Sequence, residues 1–212
     1  MDLILPIVQQ YAETYTSAED DLLKEIDAFT REHYPESHMI SGHLQGKLLE
    51  MISCLLQPKR ILEIGSFTGY SALCLARGLS ADGVLHTIEL REKDAALARN
   101  YFDRSPLGKR IISHTGNALE IIPKLQETWD LVFIDADKPA YVEYFNLVFP
   151  HLRKNGVILA DNIFFHGKVL EPEPKGKSAK GIQDFNDHIR ERTDIEKIVL
   201  TIRDGLYLIR KL

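Results

Sequence analysis

The sequence predicts a doubly wound, Rossmann-like α/β fold. The chain is organised around Arg60 to Tyr70, RILEIGSFTGY, where an apolar run breaks into a glycine-bracketed turn and then into small residues suited to opening a helix. From Lys59 onward strand and helix patterns alternate, which implies a mostly parallel sheet with helices on both faces. Near the end, two alternating runs flank Arg203-Asp204-Gly205, a glycine-containing hairpin that turns a seventh strand antiparallel to the rest.

Met1 to Pro35 reads as two amphipathic helices, with apolar positions recurring around Ile7 and Tyr11 and then at Leu22, Leu23, Ile26 and Phe29. Glu19, Asp20 and Asp21 follow Ser17 and suit the positive N-terminal end of the second helix as a solvated helix start. His38 to Gly46, HMISGHLQG, is a polar approach able to close over a ligand, ahead of a helix from about Leu44 to Leu56. The first five strands are Arg60 to Gly65, Val84 to Leu90, Ile111 to Gly116, Trp129 to Asp135 and Gly156 to Asn162. Helices start near Tyr70, Lys93, Ala118 and Ala140, with breakers at Gly78, Pro106, Pro123, Pro150 and Asn155-Gly156. Glu171 to Gly181, EPEPKGKSAKG, opposes regular structure and reads as a mobile loop. Ile195 to Ile202 and Leu206 to Lys211 supply the last two strands.

At 212 residues and 44% hydrophobic composition the chain can bury one sizeable core. A single domain over 1–212 is expected, with N-terminal helices and a ligand cover in 1–58 and the Rossmann-like core in 59–212. A net charge of -5 argues against a nucleic-acid-coating surface but permits a small ligand. Cys54 and Cys74 sit in apolar helical runs and read as reduced core thiols. MDLILPIVQQ has no basic leader region, and no apolar run reaches about 18 residues. A cytoplasmic protein without membrane partners is expected.

Ligands of open α/β sheets bind beyond the carboxyl ends of the strands, which singles out Glu63, Gly65, Glu89, Asp135, Asp161 and Asn162. The GxxxG of Gly65 and Gly69 is neither the GxGxxG of pyrophosphate-binding dehydrogenases nor a P-loop, so diphosphate recognition is disfavoured. Glu89 ends strand two, where a carboxylate can accept both hydroxyls of an adenosine ribose. Strands four and five, as neighbours, would bring Asp135, Asp161 and Asn162 into one crevice as three hard oxygen donors suited to Mg²⁺. The plainer alternative is that these acids cap the segments that follow them. Lys138 would face the same crevice and can act as a base if a metal and burial lower its pKa. His38, His43 and His166 can approach the site, but unpaired histidines near strand ends read first as surface groups. No Gly-x-Ser-x-Gly elbow supports acyl-transfer hydrolysis.

EIGSFTGYS, Glu89, FIDADKPAY from Phe133 to Tyr141, ILADN from Ile158 to Asn162 and the terminal DGLYLIRK together resemble the cation-dependent class I O-methyltransferases. That family includes catechol and caffeoyl-CoA O-methyltransferases. The resemblance implies a seven-stranded sheet ordered 3-2-1-4-5-7-6, S-adenosylmethionine as methyl donor and a divalent cation such as Mg²⁺. It also implies that Glu63, Gly65 and Ser71 surround the methionine part of the cofactor and that Glu89 holds its ribose. Ala118 falls near the adenine, and Met39 and Ser41 near the methyl donor, with the backbone around Gln45 and Gly46 near the carboxylate. Asp135, which also borders the cofactor, joins Asp161 and Asn162 as metal ligands, and Lys138 is the catalytic base. The implied acceptor is a catechol-like small molecule, with a caffeoyl-CoA-type ester or another acceptor as the alternative. A non-catalytic cofactor-binding protein is a further one, and a homodimer is implied.

Overall fold

Seven strands form one sheet, ordered β3-β2-β1-β4-β5-β7-β6, in the computed structural model, which describes residues 3–212. Met1 and Asp2, at the start of the first expected helix, lie outside the described residues. The strands β1 (Arg60–Ile64), β2 (Val84–Glu89), β3 (Ile111–Thr115), β4 (Trp129–Ile134) and β5 (Leu152–Asp161) pair in parallel. β7 (Leu206–Lys211) runs antiparallel to both β5 and β6 (Ile195–Leu200), as the hairpin signal predicts. The helices are α1 (Pro6–Thr14), α2 (Asp21–His33), α3 (Gly42–Leu56), α4 (Tyr70–Ala76), α5 (Glu92–Arg104), α6 (Ala118–Ile121), α7 (Tyr141–Val148) and α8 (Lys177–Glu191).

Alternation along the central strands builds a core on each face of the sheet. Leu62, Ile64, Val132, Ile134, Ile158 and Ala160 pack with Phe145 of α7 and Phe185 of α8. Ile61, Leu131, Phe133, Val157 and Leu159 pack with Ile26, Leu49, Leu73 and Phe102 from the helices of the other face. Glu63 shares the parity of Ile61, so a carboxyl group is buried among these apolar side chains.

The acidic run before α2 does more than meet solvent. Asp20 caps the helix by accepting from Leu23 N at 2.9 Å and also pairs with Arg77, while Glu19 accepts from the Tyr70 hydroxyl. These bonds tie α2 to α4. α1 forms as expected, yet buries none of its residues, and Ile7 is 73% exposed.

Three expectations are corrected. Residues 171–176 lack regular structure, but 177–181 form the first turn of α8, a helix that the charge-rich surroundings hide in the sequence. Ala179, Ile182, Phe185 and Ile189 supply its buried stripe at helical spacing. Gly181 permits its approach to the chain leaving β4, because a Cβ there would stand 2.6 Å from Pro139 Cα. Asn155-Gly156 lies within β5, where the register jumps from Trp129↔Leu152 to Leu131↔Val157 and Asn155 takes φ 62. Cys54 is exposed and only Cys74 is buried, because α3 turns Ser53 rather than Cys54 towards α4; Ser53 Oγ donates to Leu75 O at 2.6 Å.

Candidate active site

A cavity of ≈ 620 Å³ lies beyond the carboxyl ends of β1, β2, β4 and β5, where the topology reverses direction across the sheet. Met39, Ser41, Gly65, Ser71, Glu89, Ala118, Asp135, Lys138 and Asn162 all line it. Glu63 and Asp161 stand behind its wall, both buried. Gln45 and Gly46 are also set back: Gln45 Oε1 bonds to Arg203, and a Cβ on Gly46 would stand 2.5 Å from Tyr70 Cε1.

The two glycines of the turn do different work. Gly65, at φ 95, lets the ends of β1 and β4 close together: a Cβ there would lie 2.1 Å from the carbonyl oxygen of Asp135. Asp135 N in turn donates to Ile64 O at 2.9 Å, which fixes this acid against the strand beside it. Gly69, at φ 89, opens α4 where a Cβ would stand 2.7 Å from the Phe102 ring. Glu89 is held by two backbone donors, Phe67 N to Oε2 at 2.8 Å and Arg91 N to Oε1 at 3.0 Å. Its carboxylate is therefore fixed at the cavity wall before any ligand arrives.

Glu63 accepts from the Thr87 hydroxyl on Oε2, while Oε1 has no hydrogen-bond partner. Burial pushes its pKa up to about 7, opposed by the nearby Ser71 and Thr87 hydroxyls and reinforced by the charges of Asp135 and Glu89. A folded-state pKa above the unfolded value favours the protonated form. The resulting stability is fully present below about pH 4.5 and is lost as pH rises through 7. Glu63→Gln should therefore gain roughly 3 kcal/mol relative to wild type between pH 4.5 and pH 8, read by urea unfolding at each pH. Parallel pH curves for the two proteins would show that Glu63 does not titrate in this window.

Lys138 follows β4 and donates from Nζ to Asp135 Oδ1 at 2.8 Å and to the Tyr141 hydroxyl at 2.9 Å. Tyr141 passes the chain of bonds to the Asp161 carbonyl at 3.0 Å. Burial alone would lower the lysine pKa; with no cation drawing on the Asp135 carboxylate, Asp135 and the Tyr141 hydroxyl outweigh burial and raise it. The group is an ammonium in this arrangement. Asp161 is 2% exposed, and its Oδ1 has no hydrogen-bond partner. Burial, then the Asp135 charge, pushes its pKa up to about 6 against the pull of Arg203. Asn162 takes φ 57 and turns into the cavity wall directly after it.

An orphaned, buried carboxylate oxygen beside a second carboxylate and an amide is a donor set that fits a hard divalent cation. Among the described residues no group of three or more His, Cys, Asp or Glu side chains is placed to hold a metal ion, and here the third donor is an amide. His38 and His166 line the cavity with ring centroids 6.2 Å apart, whereas His43 bonds to Ser17 O and stays outside it. Arg203 and Tyr141 complete the constellation; Tyr141 closes the FIDADKPAY string without having been assigned a role, and Arg203 carries no signal beyond its turn.

A family model described as O-methyltransferase matches residues 13–212. The chain belongs to the O-methyltransferase family. A catechol O-methyltransferase of Niastella koreensis is 38% identical to this methyltransferase over 160 residues, 74% of this chain and 72% of the relative. The caffeoyl-CoA O-methyltransferase of Petroselinum crispum is 29% identical and covers 92% of this chain and 85% of its own. Among solved structures, the O-methyltransferase TomG from Streptomyces achromogenes, involved in tomaymycin synthesis and crystallised with SAM, superposes with a TM-score of 0.87. It is 32% identical, over 97% of this methyltransferase and 96% of TomG. Among the described residues of the methyltransferase, no helix is long and apolar enough to cross a membrane.

Proposed function

We propose that this methyltransferase, acting as a single domain, transfers a methyl group from S-adenosylmethionine to one hydroxyl of a catechol-like vicinal diphenol. The observation that carries the reading is the buried, unpartnered Asp161 Oδ1 next to Asp135, Lys138 and Asn162 at a cavity that also holds the fixed carboxylate of Glu89. Glu89 accepts ribose hydroxyls, Ser71 faces the charged methionine part with Glu63 buried behind it, and Met39, Ser41 and Ala118 close around it. Asp135, Asp161 and Asn162 would hold a divalent cation, Mg²⁺ by its preference for hard oxygen. When bound, that cation supplies the positive charge that acidifies a chelating hydroxyl. A vicinal diphenol would offer that charge two adjacent oxygens where a simple phenol offers one.

Lys138 Nζ takes the hydroxyl proton in this reading. Asp135, with the Tyr141 hydroxyl, keeps the ammonium charged; a cation drawing on the Asp135 carboxylate would weaken that hold and so act in the same direction as burial, towards the neutral amine. The hydroxyl oxygen then bonds the methyl carbon, and the sulfur leaves with the electron pair of the broken carbon–sulfur bond. Alignment of oxygen, carbon and sulfur supplies most of the acceleration.

The test is methyl transfer to catechol, phenol and caffeoyl-CoA, with and without chelator. Transfer to catechol that falls to background with chelator and returns with Mg²⁺ is expected. Equal rates on phenol and catechol, or full activity in chelator, would defeat the reading. A coenzyme A ester is the alternative acceptor, favoured by the near full-length similarity to the Petroselinum crispum protein.

A further inference from the structure

The β6–β7 hairpin fastens two walls of the cavity at once. Behind β5, Ile163 N donates to Gly205 O at 3.2 Å, Phe164 N to Asp204 O at 3.0 Å and His166 N to Asp204 Oδ1 at 2.7 Å. Towards α3, Arg203 Nη1 donates to Ser41 O at 2.6 Å and to Gln45 Oε1 at 3.0 Å, and Nη2 donates to His38 O at 3.0 Å. The acceptors at 38 and 41 bracket Met39 and Ile40, and all four of these residues line the cavity. The backbone bonds of Met39 and Ile40 are local, to Glu36 O at 2.8 Å and Ser37 O at 3.3 Å.

Arg203 makes these bonds from φ 48, the left-handed region that glycine enters freely and arginine enters at a cost. A turn needing only this backbone shape would be better served by glycine. The strain persists because the guanidinium is over-determined by its acceptors, and strain of that kind collects where a segment must be held in place. A planar fork with several donors can serve three acceptors at fixed angles, which an ammonium cannot.

We infer that Arg203 is a positioning residue that latches segment 38–45 over the cofactor cavity from the β6–β7 hairpin. The inference rests on the reading of that cavity as the S-adenosylmethionine site. The latch holds Met39 and Ser41 against the bound cofactor, so cofactor retention depends on a side chain in the last hairpin of the chain.

The experiment compares wild type, Arg203→Gly and Arg203→Lys by S-adenosylhomocysteine titration, steady-state kinetics and amide hydrogen exchange of the ligand-free proteins. Arg203→Gly relieves the strained φ but loses three hydrogen bonds, so these effects offset and its unfolding temperature is expected to stay within a few degrees of wild type. It should nevertheless raise the Kd for S-adenosylhomocysteine roughly tenfold, raise the cofactor KM more than it lowers kcat, and speed exchange at 38–46 by a similar factor. Arg203→Lys keeps a charge near Asp161 but not the fork, so its exchange rates should lie near those of Arg203→Gly. Wild-type exchange and affinity in Arg203→Gly, or their full restoration by Arg203→Lys, would overturn the latch. Failure of wild type to bind S-adenosylhomocysteine would instead overturn the cofactor reading, while exchange in the ligand-free proteins still decides whether Arg203 restrains the segment.

Discussion

Replacing Asp161 by asparagine is expected to lower methyl transfer to a catechol by about 10³-fold or more while S-adenosylhomocysteine affinity changes by no more than about threefold. The substitution keeps the size of the side chain and removes its charge. Asp161 is buried with a pKa pushed up to about 6, so its ionised form costs stability in the absence of a cation. The sign follows from linkage: the contribution of a raised carboxyl is present below its unfolded value of 3.8 and is lost as pH rises through about 6. At pH 8 in chelator, Asp161→Asn should therefore unfold at higher denaturant than wild type. Lower activity with higher stability separates a functional acid from a structural one. A variant that is active, or that is inactive because it no longer folds at pH 8, would remove Asp161 from the cation site.

That prediction uses a residue that was legible in the sequence, and the reason is geometric. Strand ends in an open parallel sheet place their last side chains at one edge, so Glu89, Asp135 and Asn162 could be assigned to one crevice from strand pattern alone. Glu63 was legible as an acid on strand one, but its burial behind the cavity wall depends on the helices of that face, which no local pattern reports. Arg203 was read only as part of a turn, because its acceptors at 38, 41 and 45 are about 160 positions away, a separation over which composition and spacing carry no signal. The ion pair that keeps Lys138 charged in the absence of a cation is hidden from the sequence for a related reason. Burial was foreseeable, whereas a carboxylate at 2.8 Å and a tyrosine hydroxyl at 2.9 Å are tertiary facts. α8 escaped because its apolar stripe is interleaved with charged residues and its first turn lies in a glycine- and lysine-rich stretch.

Gly65→Ala should be the most damaging single change to the cofactor seat, destabilising the protein by roughly 3–5 kcal/mol from left-handed strain and overpacking together. The added Cβ would lie 2.1 Å from the Asp135 carbonyl oxygen and 2.8 Å from its carbon, both of them backbone atoms that no rotamer change can move. Relief requires β1 and β4 to part at their ends. That movement carries Asp135 away from Asp161, so methyl transfer should be lost even in conditions where the variant remains folded. Gly167→Ala is the control, because Gly167 also has positive φ, at 80, but a Cβ there would meet only the end of the Leu3 side chain at 3.5 Å. It should cost about 1 kcal/mol, the left-handed penalty alone. Urea unfolding of both variants, with S-adenosylhomocysteine titration below the transition, measures the difference between them. If Gly65→Ala costs no more than Gly167→Ala and still binds cofactor, the close approach of β1 and β4 is not what holds Asp135 at the site.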